Sequence, residues 1–246
     1  MNKKCLLIFL SLPLFSGILT LTSCSDEPKS SKIPRNGLIA EYVFSGNAND
    51  KSANHLDGTV TNAVLTTDRN GKQNAAYYFD GASYIEVPNH ELLNLNNNFT
   101  LAVWINPSSF KTYGTRIIDK SVGSQGDGFL LDTYNQNLEG KRIRMMLGGN
   151  GWYFLSDTDL QIDEWHFVVV TYKDGIGKIY INGELNLVNT SNATTIIPST
   201  TPMRFGFDTG VRTGPDYDDS FIGKLDNIRI YNRELSIDEI AILYEE

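Results

Sequence analysis

The run FSGNANDKSANHLDG, residues 44–58, gathers carboxylate, amide and hydroxyl oxygens at a density that suits a hard cation. Asp50, Ser52 and Asn54 have the spacing of the first, third and fifth positions of an EF-hand loop. The sixth position, however, is His55 rather than Gly, and the twelfth is Thr61 rather than Glu, so the run is not that loop. A cation can also draw its oxygens from separate segments. In FIGKLDNIRIY, Asp226 shares strand parity with Ile222, Ile228 and Ile230, while Arg229 takes the opposite parity. That pattern places a carboxylate on an apolar face, where it must find a cation or a proton. A calcium ion shared between Asp226 and the Asp50 loop satisfies both features. In the alternative, Asp50 and Asn54 cap turns through bonds to backbone, and Asp226 receives backbone donors.

A second chemistry is stacking on sugar rings, whose C–H faces pair with exposed aromatic plates flanked by a few polar groups. Trp152 lies in GGNGWYF, between glycines and a strand, where a ring can be presented outward; Tyr113, Tyr134, Tyr153 and Tyr217 are further plates. The polar loop DTGVRTGPDYDDS, residues 208–220, offers Arg212, Asp216 and Tyr217 for hydrogen bonds to the same ligand. Trp104 and Trp165 sit within strand-like runs and are read as core. Hydrolytic machinery is sparse. Glu41 and Glu86 each stand alone in their strands, and His55, His90 and His166 have no ligand or base partner at useful spacing. There is no G-x-S-x-G elbow and no P-loop.

These residues must be held by strands. LIAEYVF, SYIEV, FTLAVWI, TRIID, FLLDTY, RIRMML, WHFVVVTY, KIYING, MRFGF and FIGKLDNIRIY are short, rich in β-branched and aromatic residues, and separated by Gly, Asn, Asp or Pro. In NFTLAVWINP, Phe99, Leu101, Val103 and Ile105 share one parity and point to a core. Asn182-Gly183 predicts a type I′ hairpin. No helical run alternates with the strands, which excludes a parallel βαβ sheet. A short helix is predicted at LSIDEIAILYEE, where Ser236 and Glu239 form a capping box and Leu235 and Ile240 a hydrophobic staple.

Taken in order, FSGNAND (44–50), AYYFDG (76–81), FTLAVW (99–104), EWHFV (164–168), IYING (179–183), FIGKLDNIRIY (221–231) and the closing segment from Leu235 to Tyr244 resemble the laminin-G-like, concanavalin A-like jelly-roll family. The resemblance implies an all-β fold of two antiparallel sheets, a jelly-roll β-sandwich, and roles mostly in binding glycans or proteins. It also implies one structural calcium ion, with Asp50, Asn54 and Asp226 matching the family's acidic and amide positions. Hydrolases on this scaffold commonly carry their carboxylates on one strand as E-x-D-x-x-E or a similar pattern, and this sequence has none.

The amino terminus reads as an address rather than as fold. Lys3 and Lys4, an apolar run, and Leu21-Thr22-Ser23-Cys24 form a secretory signal whose end resembles the lipobox of bacterial lipoproteins. Residues 1–23 are then removed, Cys24 is lipidated, 24–36 is a polar tether and 37–246 is the domain. Ser25-Asp26-Glu27 resembles the signal that sends some lipoproteins to the outer face of the outer membrane. The only other cysteine, Cys5, is lost with the signal, so the mature chain has no internal disulfide. The whole chain carries 21 Lys+Arg against 29 Asp+Glu. Losing two lysines gives 19 − 29, about −10, which excludes nucleic acid and leaves the lipid as the membrane contact. The expectation is a non-catalytic, surface-exposed carbohydrate-binding lipoprotein with calcium. A protein-binding adhesion or assembly module is the alternative, and a glycoside hydrolase the second alternative.

Overall fold

The computed structural model describes residues 32–111, 114–122, 127–134, 141–148, 152–190, 196–208 and 219–246. Among these residues fifteen strands follow in order: β1 (Leu38–Tyr42), β2 (Thr59–Thr61), β3 (Val64–Thr66), β4 (Ala76–Asp80), β5 (Tyr84–Val87), β6 (Asn98–Pro107), β7 (Thr115–Ser121) and β8 (Gly128–Tyr134). The second half contains β9 (Arg142–Leu147), β10 (Trp152–Leu155), β11 (His166–Lys173), β12 (Ile176–Ile181), β13 (Glu184–Thr190), β14 (Met203–Phe205) and β15 (Ile222–Tyr231). Helix α1 (Ile237–Tyr244) closes the chain.

The strands form two antiparallel sheets. One runs β13-β12-β11-β6-β15-β4-β3, with β1 also paired to β15; the other runs β10-β9-β8-β7-β14-β5-β2. This is the expected jelly-roll sandwich. Phe99, Leu101, Val103 and Ile105 of β6 enter the main core with Val168, Val170, Leu225 and Ile230, against Ile85, Val87, Leu131, Ile143, Met145 and Phe205 of the facing sheet. The opposite parity of β6 is buried too. Ala102 and Trp104 join Phe167, Val169 and Tyr231 in a second cluster, and Leu235, Ile240 and Leu243 around α1 cover it. The capping box is present, with Glu239 N donating to the Ser236 side chain and Ser236 N donating to the Glu239 carboxylate. At the hairpin Asn182 and Gly183 both take positive φ, 53° and 81°, so the β12–β13 turn forms as its residue types require.

Two local features position the residues of interest. β15 meets β6 along one side, while β4 (opposite Ile222–Leu225) and β1 (opposite Ile228–Tyr231) share its other side. Between those halves the pairing with β6 slips at Asp226–Arg229, and Asn227 adopts φ 43°. This bulge shifts the side-chain alternation by one residue. Leu225, Ile228 and Ile230 therefore face the core, while Asp226, opposite Trp104, and Arg229, opposite Ala102, share the outer face. The expected grouping of Asp226 with Ile228 and Ile230 is corrected accordingly.

Candidate functional site

The oxygen-rich run forms a cover for the free edge of β1. Glu41 N donates to Asp50 Oδ1 at 2.8 Å, and Lys51 N donates to Glu41 O at 2.8 Å. The Ile39 carbonyl accepts from Ser52 Oγ at 2.9 Å and from Asn54 Nδ2 at 2.8 Å. Side chains thus take the place of a neighbouring strand, which removes the exposed ladder that an edge otherwise presents. Asp50 is the centre of this arrangement. Besides Glu41 N, its oxygens accept from Ser52 N (2.8 Å), Ser52 Oγ (2.7 Å) and Leu56 N (2.9 Å), so four protein donors share one buried carboxylate.

Asp226 is engaged elsewhere. Arg69, from the turn between β3 and β4, donates to Asp226 Oδ2 at 2.5 Å and lies over the Trp104 ring at 4.7 Å. Burial lifts the Asp226 carboxyl to about 6, against the opposing pull of Arg69. By register, Asp50 is bonded beside Ile39–Glu41, opposite Arg229–Tyr231, whereas Asp226 lies at least three residues further along β15 and on its outer face. At about 3.3 Å per residue that separates them by roughly 10 Å. The set Asp50, Asn54 and Asp226 therefore does not fit a calcium ion, which needs six to eight oxygens at 2.3–2.6 Å. Asp50 has no free lone-pair direction, and Asp226 already has a cation. Among the described residues no group of three His, Cys, Asp or Glu side chains is arranged to hold a metal.

The aromatic residues separate by strand parity. Trp152 turns inward, half-buried, with its ring 5.0 Å from Phe154 and 5.7 Å from Tyr172, so it packs the sandwich edge instead of presenting a plate. Tyr153, the next residue, faces out and is 37% exposed. Tyr134 of β8 meets it edge-on at 6.3 Å. Arg144 lies between, 3.8 Å from the Tyr134 ring centroid and 6.0 Å from that of Tyr153. Tyr113, Arg212, Asp216, Tyr217 and Cys24 lie outside the described residues.

Arg144 belongs to a row of charges crossing the outer face of the seven-stranded sheet. Pairings Glu86–Arg204, Arg204–Asp119, Arg116–Asp132 and Asp132–Arg144 put these side chains on one face. Glu86 accepts from Arg204 Nε at 2.8 Å, while Asp132 takes both Arg144 (2.9 and 2.6 Å) and Arg116. Arg116 also reaches Asp119 at 3.1 Å and Asp219 at 2.9 Å. The sequence signal for this row was present in RIRMML and FLLDTY, where Arg142, Arg144 and Met146 alternate with core residues, as do Leu130, Asp132 and Tyr134. Of these, only Tyr134 is among the plates expected from the sequence.

Residues 79–241 match the family described as the concanavalin A-like lectin/glucanases superfamily. The chain belongs to that superfamily. Its fold is shared with domain 4 of AbnA, a GH43 extracellular arabinanase from Geobacillus stearothermophilus, solved in complex with arabinotriose. That likeness has a TM-score of 0.67 at 19% identity and covers 86% of this chain and 100% of that one. Botulinum neurotoxin type C, whose cell entry depends on interaction with two ganglioside molecules, is similar at a TM-score of 0.64 and 21% identity, over 85% of this chain and 51% of that one. The binding domain of botulinum neurotoxin DC, in complex with rat synaptotagmin II, gives 0.63 and 20%, over 85% and 51%. The present chain thus spans about half of either toxin chain. A search of the curated proteins finds no match.

Because the superfamily joins lectins with glucanases, the state of its outer-face carboxylates matters. Asp119 and Asp132 are fully buried, and Arg116 is 1% exposed. Burial lifts the Asp119 carboxyl to about 6, opposed by Arg116 and by hydrogen bonds from Ser121. Burial also pulls the Arg116 pKa down, but Asp132, Asp119, Asp219 and Asp208 together carry it above its ordinary value. Glycoside hydrolysis needs two carboxyl groups in reach of a sugar, one ready to give a proton and one to attack or activate water. In this superfamily member the central carboxylates are enclosed and spent on arginines.

Proposed function

We propose that the domain binds extracellular carbohydrate without cleaving it, at the β8–β10 end of the outer face. The observation that carries this reading is the outward Tyr153 ring, 37% exposed and met edge-on by Tyr134, beside Arg144, which Asp132 holds against the Tyr134 ring. A sugar ring stacks its C–H face on such an outward ring, which the buried Arg144–Asp132 pair beneath holds in place. Arg142 and Asp159, paired at 3.1 Å and both about half exposed, extend the polar rim. The enclosed Arg116 cluster supports binding without hydrolysis, and the arabinotriose and ganglioside relatives support a glycan as ligand. Tyr153→Ala is expected to weaken binding to the best glycan on an array by about tenfold, as loss of a central aromatic contact does. Unchanged affinity in titration calorimetry defeats this placement of the site.

A protein partner is the second reading. It is favoured by the edge strand β13, where Leu185 and Val188 are 53% and 52% exposed, and by the synaptotagmin-bound relative. Silence of the domain across plant and host glycans would support it.

The proposal includes the anchor. A lipid on Cys24, with the polar run that follows it as tether up to Ile33, where the chain packs onto the domain, holds the domain at the outer membrane, where many copies raise the avidity of weak sites. Metabolic labelling with a radioactive fatty acid should mark the chain, and Cys24→Ser should abolish the label. A labelled Cys24→Ser variant overturns the anchor.

A further inference from the structure

A cavity of about 320 Å3 opens on the other sheet, beside the end of α1, far in topology from the Tyr153 plate. Its wall includes Arg69, Asn70, Trp104, Trp165, Tyr244 and Glu245. Two of the chain's three tryptophans meet there. Trp104 is held by the guanidinium of Arg69 at 4.7 Å and by Tyr244, stacked at 5.6 Å with 15° between planes. Its Nε1–H is buried and has no hydrogen-bond partner. An unmet donor of this kind is unfavourable to bury, so an acceptor that reached it on a small shift of the surrounding rings would be held there. Tyr244 is 40% exposed and Trp165 half-buried, so two aromatic rings remain partly open to a visitor.

The charges restrict what that visitor is. For a cation the wall offers no unspent carboxylate except Glu245, exposed at the rim, since Asp226 is paired with Arg69 and Glu246 with Arg229. An anion meets Glu245 at the rim, and Arg69 has been neutralised by Asp226. What remains is an uncharged molecule with an apolar face and acceptor oxygens. We infer that this cavity is a second binding site, for a neutral saccharide unit, separate from the Tyr153 plate and able to make the domain bivalent. The inference shares its ligand class with the function proposed above but rests on different residues.

The two sites can be read apart. With Trp152→Phe, the remaining tryptophans, Trp104 and Trp165, both line the cavity, so their fluorescence reports occupancy there. The purified Trp152→Phe chain is titrated with arabinotriose, xylotriose and cellotriose, and with fully deacetylated chitotriose and trigalacturonic acid as cationic and anionic controls. The expected result is a saturable fluorescence change with at least one neutral trisaccharide, weakened at least fivefold by Tyr244→Ala and by Asn70→Ala. Asn70 is exposed on a turn, so its variant tests the site without touching the packed cluster. The response should survive Tyr153→Ala, and calorimetric stoichiometry should fall from two to one in either single-site variant. Silence with every neutral probe, a preference for a charged control, indifference to both cavity variants, or loss of the response in Tyr153→Ala each overturns the second site. Failure of the first site shows instead as full binding retained by Tyr153→Ala while the cavity response stays.

Discussion

Asp50→Ala is expected to lower the stability of the domain by about 3–5 kcal/mol, with or without calcium, because one truncation strands several buried donors at once. The substitution removes the acceptor for Glu41 N, Ser52 N, Leu56 N and Ser52 Oγ. The first three are backbone groups that cannot rotate away, and Asp50 itself is only 4% exposed. Losing it also loosens the cover over β1, so the free edge of the larger sheet becomes available for pairing with other chains. For a domain of this size the melting temperature should fall by about 10 °C. Asp50→Asn should cost less, since an amide oxygen can still accept about two of the four bonds. Chelator should shift the wild-type midpoint by less than about 1 °C, because an ion that does not bind the folded state adds nothing to its stability. A drop of several degrees on chelation, absent in Asp50→Ala, would restore the metal reading.

The same residue shows where sequence reading succeeds and where it stops. Features set by a residue's own backbone preference were legible: positive φ at Asn182-Gly183, the Ser236–Glu239 box, and the alternation of β6. The oxygen density of residues 44–58 was legible as well, but not its use. A carboxylate ringed by donors and a carboxylate ringed by metal share a composition, and the choice depends on which backbone groups lie across the gap. Those belong to β1 and become neighbours only on folding. Asp226 failed for a different reason. One residue, Asn227 at φ 43°, resets the alternation within β15, and a parity argument has no means of seeing a bulge inside an otherwise regular strand. Once the alternation is reset, the residue that neutralises Asp226 comes from position 69, 157 residues away in sequence. Trp152 was misread by a single step: in a strand whose two neighbouring positions are both aromatic, the identity of the outward ring is fixed by pairing with β9, which sets Trp152 opposite Leu147 and Tyr153 opposite Met146.

Arg116→Leu should be about as damaging as loss of Asp50, again by about 3–5 kcal/mol, because it leaves buried carboxylates without their shared cation. Arg116 reaches Asp119, Asp132 and Asp219 together, and Arg144 remains to neutralise only Asp132. The pH dependence identifies the cause. In the wild type the Asp119 carboxyl is already raised to about 6 by burial. A carboxyl raised in the folded state binds its proton more tightly there than in the unfolded chain. Its contribution to stability is therefore complete below the ordinary carboxylate range and is lost as pH rises through about 6. Removing Arg116 deletes the main interaction that favours the ionised form, so the folded-state value moves higher still and the penalty grows toward neutral pH. Chemical denaturation of the variant and the wild type at pH 5 and pH 8 should show a deficit clearly smaller at pH 5. A deficit independent of pH would assign the loss to packing of the long side chain, and Arg116→Lys provides the comparison. Lysine restores a charge but not the planar fork that reaches three carboxylates at once, so it should recover only part of the stability. Among the described residues Tyr153 and Tyr134 are joined to this cluster through Asp132 and Arg144, so a folded Arg116→Lys protein should keep its glycan affinity while losing thermal stability.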